Sequence, residues 1–327
     1  MIPTRELGPG VSVGALGASF GVLNGRPWVV KDIQATAGRL ADFGVTYFDL
    51  TRSDPDLFLP VLGALGEAGG PPRTISLGVG FEPPRYDDPI SAGARANAFG
   101  TIDAGSGEGP NVPLQQRIDR FVSRAEKMLR GSVLDLVLVS LEEGREEELR
   151  RAFDRLEALT REGRLRAWGV SSGPDGPYQE RIQMGVDAGA DVVEVPYNLL
   201  DRGGIADLRS KGPGTPIPVV VADPLASGRL GGAFLAEDRR ILAGPSPPTP
   251  IRELQRSLGP VLQLGFLTEG RHRTLAQAAL QFALHDPRVS VAVVPALPLE
   301  RWPDYLGAFD APGLSPDEIG RIEGLGL

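Results

Sequence analysis

Chemistry in this chain falls to carboxylates, because the other reactive side chains are nearly missing. There are no cysteines, so disulfides, thiolate nucleophiles and cysteine-ligated metals are excluded. The only lysines are Lys31, Lys127 and Lys211, and the only histidines, His272 and His285, fall late in the chain in a helical region. Acidic residues, by contrast, recur at or just beyond short apolar runs: Asp49 and Asp54, Glu142 and Glu143, Glu194, and Asp223. Carboxylates brought close together repel, which raises some of their pKa values and can set an acid beside a base. Such a set suits proton transfer without hydride transfer, as in dehydration, isomerisation or cyclisation. It would equally hold a divalent cation through oxygen ligands, or a cationic substrate.

Each of these residues has a plainer reading. Asp49 lies near Arg52 and can serve as a cap or ion-pair partner, and Asp54 precedes Pro55 and Asp56 as a helix N-cap would. Glu142 and Glu143 stand before Glu146-Glu147-Glu148, a run typical of a solvated helix start. Tyr47 shares a strand face with Asp49 by alternation and reads as core. Glu194 and Asp223 are the pair hardest to explain as surface.

The elements that must position these groups alternate along the chain. Expected strands are Ala15 to Gly17, Val45 to Asp49, Thr74 to Leu77, Leu134 to Ser140, Ala167 to Val170, Val192 to Val195, Val219 to Val221 and Val291 to Val294. Expected helices cover Lys31 to Phe43, Leu114 to Leu129, Glu146 to Glu162, Tyr178 to Ala188 and Leu275 to His285. The runs 133–139 and 218–222 are almost continuously apolar, as strands buried on both faces are. Arg5 to Gly8 and Val11 to Val13 form a hairpin around a glycine turn. Two segments, 83–113 and 244–250, read as loops from their glycine and proline content. Periodicity alone fits a doubly wound sheet or a closed eight-stranded barrel.

At 327 residues, with 41% hydrophobic and 23% charged residues, the chain can bury a sizeable core. Its net charge of -8 argues against a nucleic-acid or anionic-membrane partner. No stretch is apolar enough to span a bilayer and no secretory signal pattern opens the chain, so a cytoplasmic protein with a small-molecule ligand is expected. The sequence does not indicate an oligomeric state.

Several segments, in order, are similar to the aldo-keto reductases. Tyr47-Phe48-Asp49-Leu50-Thr51 resembles the end of that family's second barrel strand, and Gly163 to Ser172 resembles its run ending in glycine-valine-serine-asparagine. Pro196 to Arg202, Asp223 to Leu230, Val294-Pro295 and Leu314 to Ile319 are similar to later family segments. The resemblance implies one TIM-type (β/α)8 barrel over residues 1–327, with the N-terminal β-hairpin plugging its floor. It also implies that Asp49, Asp54, Glu142 or Glu143, Glu194 and Asp223 gather at or near the C-terminal mouth.

In that family a reduced nicotinamide gives hydride to a carbonyl, and a tyrosine, lysine, aspartate and histidine manage the proton. Carried over by position, the aspartate is Asp49, whereas Asp54, Gly78 and Ser140 stand where tyrosine, lysine and histidine are expected. Among cofactor positions, Ser171 matches the serine that holds the nicotinamide carboxamide, and Ser172 replaces an asparagine. Glu194 replaces a glutamine, and Ala222 replaces the stacking tyrosine. Pro224, Leu225, Gly228 and Leu230 keep the pyrophosphate loop. Arg301 keeps a phosphate contact, with Ala296, Glu300, Asp304 and Tyr305 altering its surroundings. NADP is therefore a possible cofactor, and no metal is implied. The leading expectation is a barrel repurposed for non-redox acid/base chemistry by Asp49, Asp54, Glu194 and Asp223. The alternatives are an inactive ligand- or partner-binding homologue and an atypical NAD(P)-dependent oxidoreductase.

Overall fold

A computed structural model describes residues 1–8, 10–20, 30–51, 74–79, 112–128, 133–141, 145–172, 179–206, 208, 216–231 and 259–326. Asp54, Glu142, Glu143, Lys211, the loop 244–250 and nearly all of the loop 83–113 lie outside these residues.

Eight parallel strands close into a barrel: β3 (Leu16–Ser19), β4 (Tyr47–Leu50), β5 (Thr74–Val79), β6 (Leu134–Ser140), β7 (Leu165–Ser171), β8 (Val192–Pro196), β9 (Val219–Ala222) and β10 (Val289–Pro295). Each pairs with the next, and β10 pairs with β3. The antiparallel hairpin β1 (Thr4–Gly8) and β2 (Val11–Gly14) turns at Gly10, whose φ of 72° is a left-handed value.

The hairpin closes the floor. Leu7, Val11 and Val13 pack against the inward side chains Tyr47, Leu136, Leu138, Ala167, Val192, Val220, Val291 and Val293. Arg5 donates to the Leu284 carbonyl and Ser290 donates to the Glu6 carbonyl, tying the plug to the last strand's entry. Burying each such aliphatic side chain contributes roughly 1.5–3 kcal/mol. Gly17 on β3 leaves room for Tyr47, since a Cβ there would lie 2.6 Å from Tyr47 Cδ1.

The helices bury one stripe each. In α2 (Leu114–Met128), Leu114, Ile118, Phe121, Val122 and Ala125 are buried. In α3 (Glu146–Arg161) the buried set is Leu149, Ala152, Phe153, Leu156 and Leu159. Its acidic first turn and terminal Arg161 complement the helix dipole. The others are α1 (Val30–Asp42), α4 (Gln179–Asp187), α5 (Gly203–Ala206), α6 (Leu275–Ala283), α7 (Trp302–Leu306) and α8 (Pro316–Gly324). Thr274 with Gln277, and Ser315 with Glu318, form capping boxes at α6 and α8.

Element boundaries move by a few residues from those expected. β4 begins at Tyr47 because Val45 N–H bonds back to the Leu40 carbonyl and Thr46 Oγ1 accepts from Gly14 N–H. β3 runs past Gly17 to Ser19, where it pairs with Asp49.

Candidate functional site

The barrel interior changes character along its axis. Below, it is filled by the apolar layer around Tyr47; above, at the C-terminal ends of β4 to β8, the buried polar residues are Asp49, Thr51, Ser76, Ser140, Ser171, Ser172 and Glu194. Strand alternation explains the switch for three of them, which follow an inward apolar residue at a spacing of two. Asp49 follows Tyr47, Ser140 follows Leu138, and Glu194 follows Val192.

Asp49 is 6% exposed, and its two carboxylate oxygens are treated differently. Oδ1 accepts from Thr51 N–H at 2.9 Å, Thr51 Oγ1 at 2.6 Å and Ser76 Oγ at 3.2 Å. Oδ2 receives no hydrogen bond among the described residues. The local fold makes the clamp: an aspartate bonding the backbone two residues on is an Asx turn, and Ser76 is Asp49's register partner on β5. The expected partner Arg52 lies outside the described residues.

Glu194, 3% exposed, stands on the opposite wall. Three strands separate β4 from β8 in either direction around the ring. Ser171 Oγ donates to Glu194 Oε1 at 2.7 Å, and Ser172 N–H donates to the Glu194 carbonyl at 3.0 Å. Both serines expected at a cofactor thus touch Glu194.

Tyr47 lies beneath the two acids. It is wholly buried, and no aligned hydrogen bond reaches its hydroxyl. Burial first, then the charges of Asp49 and Glu194, push the phenol well above its ordinary pKa. Ser76 Oγ is near enough to oppose this, but its proton goes to Asp49. The sequence places Tyr47 in the core, which holds; the orphaned hydroxyl had no sequence signal. Thr51 had one, the Asp-x-Thr spacing of the Asx turn.

Asp223 does not join this pair. It begins the loop after β9 with φ of 53°, keeps an exposed edge, and accepts from Ser227 N–H and Ser227 Oγ. Crowding of its carboxyl by the loop raises its pKa, against the two Ser227 bonds. Ala226 and Ser227 also hold left-handed φ values, 51° and 55°, and Gly228 holds 86°. Pro224, Leu225 and Leu230 are buried beneath the loop. Arg301 reaches it, donating to the Gly231 carbonyl at 3.3 Å. Asp304 is engaged away from Arg301, by Thr274 Oγ1 at 2.9 Å and Gln277 Nε2 at 3.0 Å. Ala296 is buried and its carbonyl accepts from Trp302 Nε1. His272 and His285 are exposed, as the sequence suggests.

A closed parallel barrel, a hairpin under its floor and a polar C-terminal mouth are the setting for comparison with known proteins. The aldo/keto reductase family model matches residues 110–326. The chain belongs to the aldo/keto reductase family. Two solved structures show the same fold at low identity. One is the apo form of aldo-keto reductase AKR11C1 from Bacillus halodurans, with TM-score 0.65 and 16% identity over 99% of this chain and 96% of that one. The other is the thermostable aldo-keto reductase Tm1743 in complex with the inhibitor epalrestat, with TM-score 0.67 and 17% identity over 99% and 100%. No curated protein matches the sequence.

Within this aldo/keto reductase barrel, no group of three or more His, Cys, Asp or Glu among the described residues is arranged to hold a metal ion. No helix among them is long and apolar enough to cross a membrane.

Proposed function

We propose that this family member performs non-redox acid/base chemistry on a small molecule at the barrel mouth, with Asp49 and Glu194 as the working carboxylates. The observation that carries the reading is the asymmetric clamp on Asp49, which leaves Oδ2 unengaged by hydrogen bonds among the described residues. Three donors on Oδ1 fix the carboxylate's rotation. Oδ2 is then the atom positioned to take a proton. Glu194, held by Ser171 on the facing wall, supplies the second carboxyl group. Asp223 lies on the loop after β9, outside this centre.

Family members generally use NADP(H), which supplies hydride when bound. The residues here fit its phosphate end better than its nicotinamide end. The turn from Pro224 to Leu230 keeps its left-handed backbone, and Arg301 against the Gly231 carbonyl brings a cation to it. At the nicotinamide end the Ser171 proton is directed to Glu194 instead of a carboxamide oxygen, and Ala222 presents a methyl group where a ring platform is expected. Gly78 and Ser140 at the ends of β5 and β6 carry no side chain able to lower the pKa of a phenol. No hydride step is therefore derived for this chain.

Deuterium wash-in tests the reading. The purified protein is incubated in D2O with pooled small amines, amino acids and carbonyl compounds, with and without NADPH, and followed by NMR. Exchange into carbon positions that is lost in Asp49→Asn and Glu194→Gln is expected. NADPH oxidation without exchange would restore the oxidoreductase reading, and neither exchange nor oxidation would leave a binding protein; both overturn the proposal.

A further inference from the structure

The clamp on Asp49 holds more donors than its turn needs. An Asx turn closes with one bond, here Thr51 N–H to Oδ1 at 2.9 Å. Thr51 Oγ1 donates to the same oxygen at 2.6 Å, the shortest of the three contacts, and Ser76 Oγ reaches it from β5 at 3.2 Å. Donors that served only to satisfy a buried carboxylate would be shared between its two oxygens, whereas all the described donors meet one. We propose that Thr51 is a positioning residue for proton transfer at the mouth, its hydroxyl holding Asp49 so that Oδ2 is the oxygen presented to the substrate. The inference rests on reading Asp49 as the base, and adds the residue that sets its geometry.

The terminal torsion of an aspartate is broad and two-fold, so an unclamped carboxylate interchanges its oxygens and presents either one. Proton transfer is sensitive to that freedom, because a base must lie within hydrogen-bond reach of the proton it removes. Thr51 is suited to limit it. It is the first residue past β4 and is 4% exposed, and its β-branched side chain has few rotamers, so its hydroxyl is held in one direction. The N–H bond comes from the main chain, so the hydroxyl is the part of Thr51's grip that residue type decides. Ser76, fully buried at Asp49's register position on the neighbouring strand, supplies the longer and weaker bond.

The variants Thr51→Val and Thr51→Ser separate the hydroxyl from the methyl group. Each is assayed as the full-length protein by deuterium wash-in from D2O with the pooled amines, amino acids and carbonyl compounds. Both kcat and KM are taken on the pool member that exchanges fastest in the parent protein, and rates are referred to the folded fraction at the assay temperature. With positioning by the hydroxyl, Thr51→Val should lower kcat by at least about tenfold while KM stays within about twofold. Thr51→Ser should keep kcat within about threefold of the parent. Thr51→Cys, whose thiol is a weak donor, takes the place of Thr51→Val if that variant does not fold, with the same expected loss. Unchanged kcat in Thr51→Val, with or without a rise in KM, would overturn the inference. A kcat loss in Thr51→Ser as large as that in Thr51→Val would overturn it too, and would assign Thr51 to packing through its methyl group. Failure of the base reading looks different. Exchange that is absent from the parent protein, or indifferent to Asp49→Asn, removes the base and the role of Thr51 with it. Exchange lost in Asp49→Asn but kept in Thr51→Val removes the positioning role alone.

Discussion

Ser171 and Glu194 are register partners on adjacent strands, and the serine hydroxyl donates to Glu194 Oε1 at 2.7 Å inside the barrel. A buried carboxylate is thereby stabilised from the residue next to it in the sheet. Removing the donor leaves Glu194 short of a charge-assisted bond, so Ser171→Ala should lower unfolding free energy by about 1–3 kcal/mol. Urea unfolding with an unchanged m-value is the measurement, and an unshifted midpoint would show the bond to be idle.

Tyr47 makes an opposite prediction. Its ring fills the layer above the hairpin, but its hydroxyl is buried without an aligned partner. Tyr47→Phe should therefore be neutral or stabilising, whereas Tyr47→Ala should cost about 3–5 kcal/mol by leaving a cavity. A clear loss of stability in the phenylalanine variant would mean that the hydroxyl has a partner in solution.

Asp49 is held by the same bonds that could be mistaken for its only purpose. An asparagine keeps the Oδ1 acceptor for Thr51 and Ser76; an alanine orphans the Thr51 N–H and both hydroxyls. Asp49→Ala should thus be destabilised by about 3 kcal/mol, and Asp49→Asn by clearly less. Parallel thermal melts of the two variants decide it; equal losses would argue that charge, not the acceptor geometry, holds the strand ends.

Acid stability has a local reporter at the start of β7. Arg164 donates to both oxygens of Glu126 on α2 at 2.7 Å, and this bidentate bond lowers the Glu126 pKa despite some opposing burial. A depressed carboxylate contributes stability that is present above its unfolded pKa and is lost as pH falls through the folded value. Because both side chains are partly exposed, the contribution is about 1 kcal/mol or less. Glu126→Gln should differ from the parent at pH 7 in low salt, and the difference should shrink as pH falls below the ordinary glutamate range. A difference that persists in acid would rule out the ion pair as its source.

What the sequence determined by itself was local or compositional. Alternating apolar runs and amphipathic stretches place the strands and helices within a few residues, because a strand buried on both faces and a helix buried on one have different periods. The lack of cysteine and the scarcity of lysine and histidine leave carboxylates as the reactive stock. Ordered motifs from Tyr47-Phe48-Asp49 to the final helix point to the barrel, which periodicity alone cannot distinguish from an open sheet.

Tertiary structure decided which acids meet. Only closure of the ring sets Asp49 on β4 opposite Glu194 on β8, since no local rule relates residues so distant in the chain. Asp223, which the motif places with them, instead turns to Ser227 because a run of left-handed backbone angles after β9 bends the chain there. The Tyr47 hydroxyl is buried without an aligned partner, a matter of geometry between neighbouring strands that no one-dimensional pattern records.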